Sequence, residues 1–320
     1  MKQIPILTAA EVTHAYSTKK QDYWSGYLAM YSSWLGGITK DPAFMQVPVD
    51  DHMVHRGDGV FEAIKTINGK VFLFHEHLDR LEKSAAQLLL PIPFPRKELE
   101  SIVLETLRAA GEPNALIRLY VSRGPGGFTT NPYECVSSQL YIVVTKFKPI
   151  AAEKYLKGVK VAISKIPIKD PWFARVKSCN YLHNVLMKRE SVDLGLDFTL
   201  SVTQKGWVGE GSTENVALIS KDGFFCYPHL NDILRGTTMM KVAELMEPWI
   251  AEKRIAGIKE THLQVEDFLN AKEAFMIGTT LDVLPITEFN GKPLGGGNVG
   301  PLAPEMNALL KIEFTKGIAF

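Results

Sequence analysis

The sequence predicts an α+β protein of two domains, divided near residue 150, and three observations carry that prediction. At 320 residues the chain is long enough to bury two cores. Strand and helix patterns are mixed rather than strictly alternating, which argues against a doubly wound sheet. A hairpin stands out at Asn68-Gly69, inside the alternating run "GVFEAIKTINGKVFLFHEHL".

The elements follow in order. Residues 8–37 carry Tyr16, Tyr23, Tyr27 and Tyr31 with Trp24 and Trp34 at helical intervals, predicting one or two amphipathic helices as an N-terminal extension. After the hairpin, one helix is expected from His75 to Leu90, ahead of Pro91, and another from Arg96 to Ala110, ahead of Gly111. "ALIRLYVSRG" and "SQLYIVVTKF" read as strands around the Gly-rich loop "RGPGGFTTNP", and "KPIAAEKYLKG" as a connector. Beyond residue 150 come a strand in "VKVAISKIP", a helix over 177–194, and strands in "DFTLSVTQKG", "NVALIS" and "GFFCYP". A helix begins near Thr237 and another lies in "QVEDFLNA", before closing strands in "EAFMIGTT" and "VLPITEFNG". The late "GGGNVG" does not lead from a strand into a helix, so it is no dinucleotide fingerprint.

Composition excludes several classes. The 46% apolar and 22% charged residues are those of an ordinary globular protein. A net charge of +1 gives no electrostatic case for nucleic acid or an anionic membrane. No apolar run approaches the ~18 residues of a membrane span, and "MKQIPILTAAEVTHAYS" is a poor secretory signal. Three scattered cysteines suit reduced thiols in a cytoplasmic protein, and with no CxxC pair no metal site is expected.

The chemistry begins at "VKSCNYLHNVLMKRE", residues 176–190, where Lys177 heads a helical pattern. Asn180, His183, Asn184 and Met187 share one face, so amides interrupt a stretch otherwise suited to burial. A lysine in a partly apolar pocket can lose its proton and attack a carbonyl, although most lysines are simply solvated. Gly236-Thr237-Thr238 lies where a loop becomes a helix, and free N–H groups with threonine hydroxyls there suit a phosphate. Gly278-Thr279-Thr280 follows a strand and offers a close backbone approach. Taken alone, each triplet reads first as a cap or a turn. Arg80 in "HEHLDRL" would add a charged partner for the same anion, or else pair with Glu76 or Glu82 on the helix surface. Glu210, between two glycines in "WVGEGSTEN", is a turn residue or a partner for a protonated ring nitrogen. A carbonyl-seeking lysine, a carboxylate and a phosphate cradle together are what pyridoxal 5′-phosphate needs.

From these segments the chain resembles the fold-type IV pyridoxal-phosphate enzymes, the class IV aminotransferase family. That family includes branched-chain and D-amino-acid aminotransferases and aminodeoxychorismate lyases. The resemblance spans residues 45 to 305 through "HRGDGVFEAI", "HLDRLEKSA", "VKSCNYLHNVL", "GEGSTENV", "ILRGTT" and "IGTTLDVLPI", in the family's order. It implies a smaller N-terminal domain, 1–150, that includes the helical extension, and a larger cofactor-binding domain, 151–320. Lys177 resembles the lysine that forms the Schiff base, and Glu210 the partner of the ring nitrogen. Arg80, Thr237, Thr238, Thr279 and Thr280 resemble the phosphate contacts, Thr237 chiefly through its backbone. Tyr181 is similar to the tyrosine at the ring hydroxyl, although "KSCNY" is one residue shorter than the branched-chain spacing. Phe61 and Ala63 would face the substrate, alternating with Glu62. Arg118 lies near a substrate-side arginine of the branched-chain group, with Arg123 an alternative carboxylate partner. The loop "SRGPGGFTTNP" lacks the Arg-x-His pair typical of D-amino-acid aminotransferases.

The resemblance implies transfer of an amino group between an aliphatic amino acid, of D or branched-chain type, and a 2-keto acid, in a homodimer. "GVFEAI" favours transamination over the alternative, a lyase releasing pyruvate and 4-aminobenzoate from aminodeoxychorismate. A non-catalytic binder of the same cofactor is the remaining alternative.

Overall fold

The structure is a computed structural model that describes residues 3–320. It runs through α1 (Ala9–Thr18), β1 (Tyr27–Ser32), β2 (Gly37–Thr39), α2 (His52–Arg56), β3 (Gly59–Ile67) and β4 (Lys70–Val71). Next come α3 (Phe74–Gln87), α4 (Arg96–Ala110), β5 (Ala115–Ser122), β6 (Gln139–Lys146), α5 (Ala152–Lys157), β7 (Val159–Ile163) and α6 (Pro171–Ala174). They are followed by α7 (Leu182–Asp193), β8 (Phe198–Leu200), β9 (Asn215–Ile219), β10 (Phe224–Pro228), α8 (Thr237–Ala251) and β11 (Gly257–Thr261). The chain ends with α9 (Val265–Leu269), β12 (Glu273–Gly278), β13 (Asp282–Phe289), β14 (Lys292–Pro293), α10 (Leu302–Phe314) and β15 (Ile318–Ala319).

The first sheet has the order β15-β4-β3-β5-β6-β1-β2 and is antiparallel throughout. The second has the order β11-β10-β9-β12-β13-β7-β8 and mixes parallel with antiparallel pairs. The Asn68-Gly69 hairpin is present, with φ of 51° and 76°, the left-handed values that a two-residue turn of this kind requires.

Side-chain alternation decides which faces are cores and which face is free for chemistry. On β5, Ile117, Leu119 and Val121 pack under α3 and α4 with Leu78, Leu81, Leu99 and Val103. The intervening Leu116, Arg118 and Tyr120 point the other way, into a cavity. The central strands of the second sheet, β9, β12 and β13, are buried on both sides. Phe275 and Ile277 of β12 pack against α8 and α10, while Ala274 and Met276 enter a separate core with Val216 and Phe268. Each such buried side chain contributes about 1.5–3 kcal/mol, so the first sheet's open face is the place where the fold leaves room.

Three sequence expectations need correction. In the aromatic N-terminal stretch α-helix covers Ala9–Thr18 and a short 3-10 helix covers Asp22–Gly26 with Tyr23 and Trp24, while Tyr27 and Tyr31 lie on β1. Aromatic residues suit either period, and pairing with β6, more than a hundred residues away, selects the strand. The strand expected in "DFTLSVTQKG" is β8 alone, followed by an isolated Val202–Val208 bridge. The helix expected from Lys177 begins at Leu182. Before it, the chain is extended along β3, with Phe61 N–H donating to the Lys177 carbonyl (2.9 Å) and Cys179 N–H to that of Gly59 (2.8 Å).

One ion pair ties the two sheets together behind the cavity. Lys65, on the same face of β3 as Phe61 and Ala63, donates to Asp282 at the start of β13. Its side chain is 1% exposed, and Nζ lies over the rings of Phe72 (5.2 Å) and Phe314 (4.3 Å). Burial pushes Lys65 down and Asp282 up, so desolvation outweighs attraction for both partners. Such a pair adds little net stability, but removing one member strands the other. Asp282→Asn, which tolerates the left-handed φ of 55°, is expected to cost about 3 kcal/mol in urea unfolding. Adding Lys65→Met should recover most of that loss.

Candidate active site

The open face of the first sheet and the loop ends of the second enclose a cavity of about 470 Å³. Lys177, Arg80, Glu210, Tyr181, Thr237, Thr238, Thr279, Thr280, Phe61, Ala63 and Arg118 all line it. Arg123 does not. It donates Nε and Nη2 to Asp58 (3.0 and 3.2 Å) and further N–H groups to the carbonyls of Leu88 and Leu89. A guanidinium so committed holds a loop in place, and the expectation that Arg123 meets substrate is corrected.

Lys177 sits on the extended segment that runs along β3, with its backbone N–H donating to Ser84 Oγ (3.2 Å). The side chain is 8% exposed, and Nζ lies 4.7 Å from the Phe61 ring centre and 5.9 Å from that of Tyr181. Burial, reinforced by the Arg80 charge, pushes its pKa down to about 8 against the opposing pull of Glu62 and Glu210. The neutral fraction near pH 7 is therefore far larger than for an ordinary lysine, about a tenth, which favours a nucleophile. Of the face expected from the helical pattern, Asn184 and Met187 are buried whereas Asn180 is exposed, because the helix has not begun at residue 180.

Glu210 lies in the turn between β8 and β9. Its Oε2 accepts from Leu234 N–H (3.0 Å) and Asn215 Nδ2 (3.5 Å). Burial raises its pKa to about 7, more than the Leu234 N–H and the two lysines at 169 and 177 can offset. A carboxylate in that position is poised to ionise fully once a cation faces it. Asn215 also donates to the Leu234 carbonyl (2.9 Å) and sits so close to Gly236 that a Cβ there would lie 1.8 Å from Asn215 Oδ1. Glycine at 236 is thus required for the loop to reach the α8 N-terminus beside Glu210.

Arg80 comes from α3 but pairs with neither Glu76 nor Glu82. Its Nε and Nη2 donate to the two carboxylate oxygens of Glu62 (2.8 and 2.7 Å), and Nη1 donates to the Arg235 carbonyl (3.1 Å). Glu62 occupies the helix-facing side of β3, opposite Phe61 and Ala63, and is completely buried. Thr237 and Thr238 open α8, and Thr279 and Thr280 form the turn after β12. The Thr238 hydroxyl is buried without a hydrogen-bond partner. An orphaned buried donor is costly, and an anion in the cavity would satisfy it. Arg80, the α8 N-terminus and this hydroxyl line one cavity with Glu210 and Lys177. That donor set fits a phosphorylated aldehyde with a basic ring nitrogen.

Glu62, His77 and Asn215 also shape the site and were not given a role from the sequence. For Glu62 a signal existed: a carboxylate inside a strand of apolar residues must find a buried partner. The cavity opens past Leu116, Arg118, Tyr120 and Thr280 into a wider cleft, of about 1000 Å³, walled by Tyr23 and Tyr27. The segment after α1 therefore borders the way in.

Comparison with known proteins agrees with this geometry. The family model for amino-transferase class IV matches residues 59–289. A chloroplastic D-amino-acid transaminase of Arabidopsis thaliana is 35% identical, the match covering 98% of this chain and 83% of that protein. A putative branched-chain-amino-acid aminotransferase of Methanocaldococcus jannaschii is 32% identical over 88% of this chain and 96% of its own length. The solved branched-chain amino acid aminotransferase of Escherichia coli shares the fold, with a TM-score of 0.82 and 24% identity, the match covering 91% of this chain and 96% of that one. A family match across most of the chain, on residues whose side chains converge around one buried lysine, leads to one conclusion: the chain belongs to the class IV aminotransferases, which work with pyridoxal 5′-phosphate.

Proposed function

We propose that the chain moves the amino group of a small or medium aliphatic D-amino acid to a 2-keto acid, with the cofactor held covalently on Lys177. The observation that carries this reading is the buried Lys177 amine, pushed down to about 8, in one cavity with Glu210 and the phosphate-competent cradle. The D-series is favoured by the resemblance to the Arabidopsis D-amino-acid transaminase, which extends over nearly the whole chain. Homodimerisation is supported by the exposure of Leu182, Val185 and Leu186 on α7 and of Trp172 and Phe173 on α6. The division near residue 150 is supported by the separate cores of the two sheets, and a cytoplasmic setting by three free thiols. Among the described residues no helix is long and apolar enough to cross a membrane.

When bound, the cofactor supplies a carbonyl that exchanges amines and a protonated ring that draws electrons from the substrate's α-carbon. The protein residues provide the rest. Lys177 Nζ, free of its proton, takes one from the substrate Cα and returns it on the other side of the exchange. Glu210, oriented by Leu234 N–H and Asn215, would hold the ring-nitrogen proton, and Tyr181 would donate at the ring hydroxyl. Arg80, Thr238, Thr279, Thr280 and the backbone at Thr237 would hold the phosphate. Phe61, Ala63, Leu116 and Tyr120 wall off water, and Arg118, the remaining cation among the described residues that line the cavity, would receive the substrate carboxylate.

Arg80→Ala is expected to raise the cofactor dissociation constant by roughly 10- to 100-fold, because a charged hydrogen bond is worth about 1.5–3 kcal/mol. It should also lower the melting temperature by stranding Glu62. Thr279→Ala should cost less on both counts. Equilibrium dialysis and thermal melts separate the two variants.

The substrate reading is tested by supplying D- and L-alanine and D- and L-leucine separately with 2-oxoglutarate and with pyruvate. Acceptor-dependent conversion of the D-enantiomers supports it. Conversion confined to L-leucine would replace it with branched-chain specificity.

A further inference from the structure

Behind the phosphate cradle lies a relay of buried polar groups that the chemistry above does not use. The Oε2 of Glu62, already paired with Arg80, also lies 2.7 Å from His77 Nδ1. On its other side His77 Nε2 lies 3.2 Å from Thr237 Oγ1, in the first turn of α8. Both Glu62 and His77 are completely buried.

The protons in this relay are determined by chemistry. Burial alone would raise Glu62, but the Arg80 guanidinium and the His77 hydrogen bond outweigh it and hold the carboxyl at about 2. An ionised carboxylate only accepts, so His77 Nδ1 carries a hydrogen toward it. Burial pushes the imidazole pKa down more than Glu62 can raise it, so the ring is neutral and the contact is a hydrogen bond rather than an ion pair. A neutral ring with Nδ1–H has only a lone pair at Nε2. Thr237 must therefore donate its single hydroxyl proton to His77. What Thr237 Oγ1 then offers the cavity is lone pairs, which repel an anion. The neighbouring Thr238 hydroxyl keeps its proton, since it has no partner. Arg80 has spent one N–H on each nitrogen and retains one on each of its two terminal nitrogens.

We propose that His77 is a positioning residue that sets the polarity of the phosphate cradle. By consuming the Thr237 hydroxyl proton it leaves the phosphate to the Thr238 hydroxyl, the backbone N–H groups opening α8, and the two unspent N–H groups of Arg80. Through Glu62 the same imidazole joins the α8 N-terminus to the arginine, so the two halves of the cradle are held as one unit. This inference rests on the cofactor reading of the same cavity.

The test is the dissociation constant of pyridoxal 5′-phosphate, read by fluorescence titration of the cofactor-free protein, in a cycle of substitutions. Thr238→Val should weaken binding by about 10-fold or more, the value of a hydroxyl bond to a charged acceptor. Thr237→Val should stay within about threefold of wild type. In a His77→Phe background the Thr237 hydroxyl is free to turn toward the phosphate, so Thr237→Val should there cost about 10-fold. A purely structural histidine would give no such dependence. Equal losses for Thr237→Val and Thr238→Val in the wild-type background would overturn the proposal, and that comparison stands even where His77→Phe does not fold. Loss of saturable cofactor binding in the unsubstituted protein would instead overturn the cofactor reading itself.

Discussion

Lys177→Ala is expected to reduce kcat by at least about 1000-fold, the upper range of what a positioned acid–base group contributes. The loss is large because one atom has two duties. Lys177 Nζ is both the covalent anchor and the group that carries the α-proton, and among the described residues no other lysine lines the cavity. Lys169 lies nearby, with its Nζ 4.7 Å over the Tyr181 ring, but does not line the cavity and cannot substitute. Folding should survive, since the substitution relieves a buried amine whose protonated form the surroundings oppose. A steady-state assay with matched circular dichroism spectra checks both halves of the expectation.

Glu210→Gln is expected to lower kcat by about 100-fold or more while cofactor remains bound, because the amide cannot stabilise a protonated ring nitrogen. The same change should alter stability in a pH-dependent way. Glu210 has a folded pKa near 7, raised from 4.5 by burial. A raised carboxyl contributes stability that is fully present below pH 4.5 and lost as pH climbs through 7. The cofactor-free wild type should therefore lose up to about 3 kcal/mol relative to Glu210→Gln between pH 4.5 and pH 8. Glu210 also holds the Lys177 pKa up, so the difference between the two proteins reports Glu210 together with its coupling to Lys177. Urea unfolding at the two pH values provides the measurement. Parallel pH profiles would mean that Glu210 is merely a turn residue.

Much of the site was legible because its residues are grouped locally. Glu210 between two glycines and the two Gly-Thr-Thr triplets at element ends can be read from a few neighbouring letters, and all of them line the cavity. What could not be read depends on distant partners. Arg123 looked available until Asp58, 65 residues away, took its guanidinium. Tyr27 and Tyr31 fit a helical period until β6 supplied a ladder of hydrogen bonds. The segment after Lys177 carries a helical pattern, yet its first residues pair with β3 and delay the helix by five positions. Arg80 was legible as an anion partner, but not its bracing by Glu62 and His77. That bracing requires β3 and α3 to be packed together, and no local spacing encodes it.

The central claim is that Lys177 carries the cofactor. Borohydride reduction of the yellow holoenzyme, followed by peptide mapping in a mass spectrometer, tests it most directly. A single pyridoxyl-phosphate adduct on the peptide containing Lys177 is expected. An adduct on Lys169 or any other lysine, or no adduct after saturation with cofactor, would contradict it.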